Sequence, residues 1–152
     1  MKLRVYADTS VLGGCFDEEF MTPSKALIEE FKRGYKILLV SDLTLKEIEE
    51  APRKIQDILQ SIPTDFKEFV ILDDESKLLA QKYIDEEVIS NKLLVDAQHI
   101  AIATVNRADV LVSWNFRHIV NLRKIRLYNS VNLKYGYSVI EIRSPLEVID
   151  EL

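Results

Sequence analysis

Short apolar runs alternate along the chain with stretches in which apolar residues recur every three to four positions. Continuous or period-two runs fit strands, and the 3.6-residue period fits helices packed on a sheet. Strands are expected at Leu3–Ala7, Lys36–Ser41, Glu68–Leu72, Asp109–Ser113 and Ser138–Ile142. Helices are expected at Ser24–Arg33, Leu43–Glu50, Pro52–Gln60, Glu75–Val88, Lys92–Asn106 and Asn121–Leu133. Pro23 and Ser24 suit a helix start and Gly34 a helix end, while Gly13-Gly14 reads as a turn out of the first strand. The alternation implies an α/β fold with a mainly parallel central sheet and crossover helices. No repeat, low-complexity tract or linker divides the 152 residues, so a single domain over 1–152 is expected.

Composition narrows the class. Hydrophobic residues at 47% and charged residues at 30% are those of an ordinary globular chain. The longest apolar runs are only a few residues, too short to span a membrane. Met1-Lys2-Leu3 leads straight into a strand, which leaves no room for a signal peptide, and the single Cys15 cannot build a disulfide framework. A cytoplasmic location and an inert Cys15 are expected.

Net charge is −5, yet Val110 to Ile140 holds no Asp or Glu and carries Arg117, Arg123, Lys124, Arg126 and Lys134. That stretch is +5, which leaves −10 for the rest. A basic stretch beside an acidic cluster can hold phosphates while the acids hold metal; a solvated helix face is the plainer reading.

Three acids recur where strands end or helices begin. Asp8 closes the first strand, Glu47 lies one turn into the helix after the second, and Asp96 lies in the first turns of the helix after Asn91. Leu93, Ala97, Ile100, Ala101 and Thr104 form the sheet-facing stripe of that helix, and Asp96 borders it. Each acid alone could be a cap or a surface charge. In open α/β sheets, however, ligands bind beyond the carboxyl ends of the strands. Two carboxylates about 5 Å apart repel by roughly 3 kcal/mol at an effective dielectric near 20. Three at one sheet edge therefore call for a cation, and oxygen donors without thiolates suit Mg²⁺ or Mn²⁺.

The runs Tyr6-Ala7-Asp8-Thr9-Ser10-Val11-Leu12, Ser41-Asp42-Leu43-Thr44-Leu45-Lys46-Glu47-Ile48, Val95-Asp96-Ala97-Gln98-His99-Ile100-Ala101 and Ala108-Asp109-Val110-Leu111-Val112-Ser113-Trp114-Asn115-Phe116 together resemble the PIN-domain nucleases, particularly the VapC-like toxin branch. The resemblance runs through essentially the whole chain, in order. It implies a three-layer α/β/α domain that hydrolyses RNA phosphodiesters with Mg²⁺ or Mn²⁺, partnered by a small antitoxin and working as a homodimer. Asp8, Glu47 and Asp96 match the family's acidic triad. Asn115 falls where many members carry a fourth acid, which leaves one or two metal ions open. Ser10 and Ser113 match hydroxyl residues near the acids and could hold water or phosphate. Arg117, His118 and Arg123 are candidates for phosphate contact. Asp109, at a strand start, belongs to the opposite edge.

Other residues read more plainly. His99 is expected to be a packing or surface residue, Trp114 and Phe116 core aromatics at a strand end, though either could stack a base. Tyr128, Tyr135 and Tyr137 show no order that separates stacking from packing. Two other functions compete: an acidic-pocket phosphoryl-transfer domain, such as a receiver or phosphatase, and a PIN-like RNA- or protein-binding module whose acids are only caps. Asp8-Thr9-Ser10 lacks the second Asp of a phosphatase, and Asp73-Asp74 follows the third strand, not the first as a receiver needs.

Overall fold

The computed structural model describes residues 1–150. In chain order the elements are β1 (Leu3–Ala7), α1 (Thr9–Gly14), α2 (Met21–Lys32), β2 (Lys36–Ser41), α3 (Asp42–Glu49), α4 (Arg53–Gln60), β3 (Lys67–Val70), α5 (Asp74–Asp85), α6 (Leu94–Val105), β4 (Val110–Val112), α7 (Leu122–Lys134) and β5 (Ile142–Arg143), with single 3₁₀ turns at Thr64–Phe66, Asn91–Leu93 and Pro145–Glu147. The strands form one sheet in the order β3-β2-β1-β4-β5, and every pairing is parallel. A receiver sheet runs 2-1-3-4-5, so that alternative loses its scaffold.

Side chains alternate across the strands, and each face buries its own core. Tyr6, Leu39, Leu111 and Ile142 face α5, α6 and α7, whereas Val5, Ala7, Leu38, Val40, Val110 and Val112 face α1, α2 and α4. The result is the expected three-layer α/β/α sandwich. Within it, α6 is buried nearly all round: Ile102 and Ala103 are covered as fully as the predicted stripe of Ala97, Ile100, Ala101 and Thr104. Among the described residues no helix is long and apolar enough to cross a membrane.

Several expected elements shift for identifiable reasons. The last strand is Ile142–Arg143 and not Ser138–Ile142, because the Asn129 side chain takes both backbone groups of Ile140, donating to its carbonyl at 3.0 Å and accepting from its N–H at 2.8 Å. The third strand stops at Val70, and the Leu72 N–H goes instead to the Asp42 carboxylate at 2.8 Å. Helix α2 starts at Met21, with Pro23 in the first turn where its missing N–H costs nothing. Helix α5 ends at Asp85, and Glu87 follows in the left-handed region at φ 61, so that the Val88 N–H reaches Tyr83 O.

The segment after β1 is a correction. Gly13-Gly14 does not turn the chain; both residues lie in α1. Gly14 is required by a close approach, since a Cβ there would sit 2.5 Å from Ser24 Oγ and 2.8 Å from Trp114 Nε1. Those two atoms hydrogen-bond each other at 2.8 Å. Gly13 has open space by comparison, its nearest would-be neighbour being Ile55 at 4.0 Å. Gly14→Ala is therefore expected to cost about 1–3 kcal/mol through overpacking, and Gly13→Ala to be neutral or stabilising. Urea unfolding of the pair checks this, and equal stabilities would contradict the packing argument.

Candidate active site

The strand order reverses direction of travel at β1 and β4, the switch point where ligands of open α/β sheets bind. Asp8 follows β1 there and Ser113 follows β4. Asp8 is 6% exposed and caps α1, accepting from the Ser10 N–H at 3.2 Å. Its carboxylate also accepts from the hydroxyls of Ser10 and, at 2.6 Å, Ser113. Burial pushes the Asp8 pKa up; the two hydroxyls and the nearby His99 oppose that rise, and the charge of Glu47 adds to it.

Asp96 and Glu47 complete the cluster. Helix α6 runs back along the sheet, so its first turn returns Asp96 to the strand ends. Burial raises the Asp96 pKa as well, with His99 and His118 opposing and Glu47 again adding. The charge of Glu47 thus acts on both other acids. Glu47 behaves differently: burial alone would raise it, but the bond from His99 and the Thr9 hydroxyl hold it below the usual carboxylate range.

His99 corrects the expectation of a packing or surface residue. It is 2% exposed and spans two polar partners, Nε2 lying 2.6 Å from Glu47 Oε1 and Nδ1 2.6 Å from the Tyr6 hydroxyl. A carboxylate can only accept, so Nε2 carries a proton, and the Tyr6 hydroxyl pairs with Nδ1. Tyr6 is anchored in turn by Ser41 Oγ at 2.8 Å, while Thr9 Oγ1 donates to the same Glu47 oxygen at 3.0 Å. The available signal was spacing: His99 lies three residues after Asp96, on the same side of the helix.

Asn115 joins from the loop after β4. His118 N–H can only donate and lies 3.0 Å from Asn115 Oδ1, so the amide nitrogen faces Asp96, at 3.4 Å. Asn115 therefore offers Asp96 an N–H in this arrangement, not the oxygen expected of a metal ligand. Asn115→Asp would set a second carboxylate against Asp96 and should tighten divalent-ion binding. Calorimetry with Mn²⁺ checks this, and unchanged affinity would remove residue 115 from the site.

The remaining candidates spread outward. Arg117 is exposed, and the His118 ring carries a buried Nδ1 without a hydrogen-bond partner among the described residues. Arg123 is not drawn to the acids; it lines a separate hollow of about 280 Å³ with Glu87, Asn121 and Lys124. Asp109 sits at the other sheet edge, accepting from the Arg4 N–H at 2.7 Å. Trp114 is core, 7% exposed and stacked on Phe20 at 4.2 Å, but Phe116 departs from the core expectation at 48% exposed.

Carboxylate oxygens are the right chemistry for a hard cation. Glu47 is held through Oε1 and Asp96 through Oδ2, which leaves Oε2 and Oδ1 outside these bonds. Among the described residues, no three His, Cys, Asp or Glu side chains already converge as a metal ligand set.

No protein-family profile matches the chain, and no curated protein matches it. Solved structures do. VapBC2 from Rickettsia felis, bound to a DNA fragment from its promoter, superposes with a TM-score of 0.59 at 11% identity, over 93% of this chain and 98% of that one. Mycobacterium tuberculosis VapC20, a Sarcin-Ricin loop cleaving toxin, gives 0.55 at 13% identity, over 75% and 92%. DNA-bound VapBC from Salmonella typhimurium gives 0.55 at 16% identity, over 94% and 98%. At such identities the likeness is one of fold: the chain has the VapC-like PIN-domain fold that its motifs resemble.

Proposed function

We propose that the protein is a divalent-metal-dependent endoribonuclease, the toxin of a toxin–antitoxin pair, using Mg²⁺ or Mn²⁺. The observation that carries this is Asp8: a carboxylate buried at the switch point, held by hydroxyls and exposed to the charge of Glu47, which acts on Asp96 as well. Three such charges in a partly desolvated site are most easily reconciled by a cation. Asp8, Glu47 and Asp96 would hold it, with Asn115 alongside. A bound divalent ion supplies positive charge that acidifies water and offsets charge on the attacked phosphate.

The chain's own groups do the rest. Ser10 and Ser113 fix the Asp8 carboxylate in one orientation, and the Ser41–Tyr6–His99 relay fixes Glu47. Asp96 and Glu47, each with one carboxylate oxygen outside these bonds, are the groups that could orient an attacking water. Arg117 and His118 on the loop beyond Asn115 would hold the strand's phosphates, and Arg123 a more distant one. RNA as substrate draws support from the Sarcin-Ricin loop cleaving neighbour, and a small antitoxin from the two VapBC neighbours. In this reading the working form is a cytoplasmic homodimer.

One observation favours a second reading, a non-catalytic RNA- or protein-binding module: Asp8 already serves as the α1 cap, with both carboxylate oxygens bonded. Induced expression in a bacterial host separates the two. The nuclease reading expects growth arrest with fragmentation of a defined RNA, both relieved by Asp96→Asn. Unimpaired growth and intact RNA with the unmodified chain would favour the binding module.

A further inference from the structure

Beside the acids lies a cavity of about 310 Å³ that shares Ser10 and Asn115 with them and is walled by Gly13, Asp17, Phe20 and Trp114. This is the small end of the range for ligand pockets, room for one ring system and not for a polymer's width. Building on the nuclease reading, we propose that the cavity seats a single nucleobase next to the phosphate held at the acids, with preference for a base that presents N–H donors, guanine above all.

Three features point there. The first is aromatic: Phe20 and Trp114 wall the cavity and stack on each other at an interplanar angle of 21°, while Phe116, outside the lining, stands edge-on to Trp114 at 5.9 Å with its ring half-exposed, a face on which a base seated beside Trp114 can stack. The second is Gly13. It lines the cavity through its backbone, and a Cβ there would meet only Ile55, at 4.0 Å, so a larger residue can be built at this part of the wall without a clash.

The third is the hydrogen-bonding inventory. Ser10 Oγ already donates to Asp8 and accepts from the Trp114 N–H at 2.9 Å. Asn115 is used at both ends, by His118 and Asp96. Among the described residues Asp17 accepts from the Glu19 N–H through Oδ1 alone, at 2.8 Å, which leaves Oδ2 and the second lone pair of Oδ1 for a ligand in the cavity. A carboxylate oxygen pairs with amino or imino N–H groups, and guanine carries two of them side by side.

Trp114 is the single tryptophan, so its emission reports on the wall of this cavity directly. The test records Trp114 emission by stopped flow in Mg²⁺, before cleavage can consume the strand, with the tetraribonucleotide UGUU and with the same strand lacking the guanine base. A saturable change in Trp114 emission is expected with UGUU and not with the abasic strand. Phe116→Ala and Gly13→Leu should each weaken it about tenfold, and Asp17→Asn should abolish the advantage of UGUU over UUUU. Gly13→Ala, which fits without a clash, should weaken it less and guards against misfolding of the leucine variant. Unchanged emission with UGUU, equal change with the abasic strand, or full affinity in folded Gly13 and Phe116 variants would overturn the proposal. Those outcomes leave the nuclease reading standing. RNA left uncut in Mg²⁺ by a protein that shows the emission change would sink the nuclease reading and keep the base pocket.

Discussion

Asp8→Asn and Asp96→Asn are each expected to lower RNA cleavage by about 10²–10⁴-fold or more while leaving the metal-free fold at least as stable at neutral pH. Burial lifts the folded-state pKa of both acids above the ordinary 3.8. The folded chain thus binds these protons more tightly than the unfolded chain does. Stability present in acid is lost as pH rises through the raised values. Asn cannot ionise and avoids that loss, and it serves as well as Asp in the α1 cap. Thermal unfolding in chelator should show the variants level with or above the unmodified protein at neutral pH, with the gap closing toward pH 4. A large loss of stability in both variants would make these acids structural ion-pair partners.

His99→Leu is expected to destabilise the protein by about 1–3 kcal/mol, because it strips the buried Tyr6 hydroxyl and Glu47 of their shared partner. The same bond holds the Glu47 pKa below the ordinary 4.5. A lowered carboxylate pKa contributes stability that is present above the unfolded value and fades as pH falls through the folded one. The deficit of the leucine variant should therefore be largest at neutral pH and shrink in acid. His99→Gln places an N–H where Nε2 stood and should recover part of the loss. Urea unfolding across pH decides it: equal deficits for Leu and Gln, or a deficit independent of pH, would remove the Glu47 bond from the account.

The layer order and the gathering of Asp8, Glu47 and Asp96 at one sheet edge were legible because they depend on periodicity and on where strands end, both local properties of the sequence. What escaped depended on contacts made across the chain. Helix α1 was hidden by Gly13-Gly14, residues that read as breakers, although Gly14 is there for the approach of Ser24 and Trp114. The early end of α5 was hidden because Glu87, not a glycine, takes the left-handed position. The register of β5 is set by the Asn129 side chain, which no strand pattern encodes. His99 carried no signature of its own; only the return of Tyr6 and Glu47 from two other elements gives it a role. Phe116 looked like a core ring because aromatic residues at strand ends usually are, and its exposure follows from a loop path that hydrophobicity does not report.

The central claim, that these acids form a metal-dependent phosphodiesterase centre, is tested most directly by cleavage of an end-labelled single-stranded RNA. Three reactions are compared at matched, verified folding: the unmodified protein with Mg²⁺ or Mn²⁺, the same protein in EDTA, and Asp8→Asn with the metal. Discrete internal cuts are expected in the first reaction alone. Intact RNA in all three, or cuts that persist in EDTA or in Asp8→Asn, would contradict it.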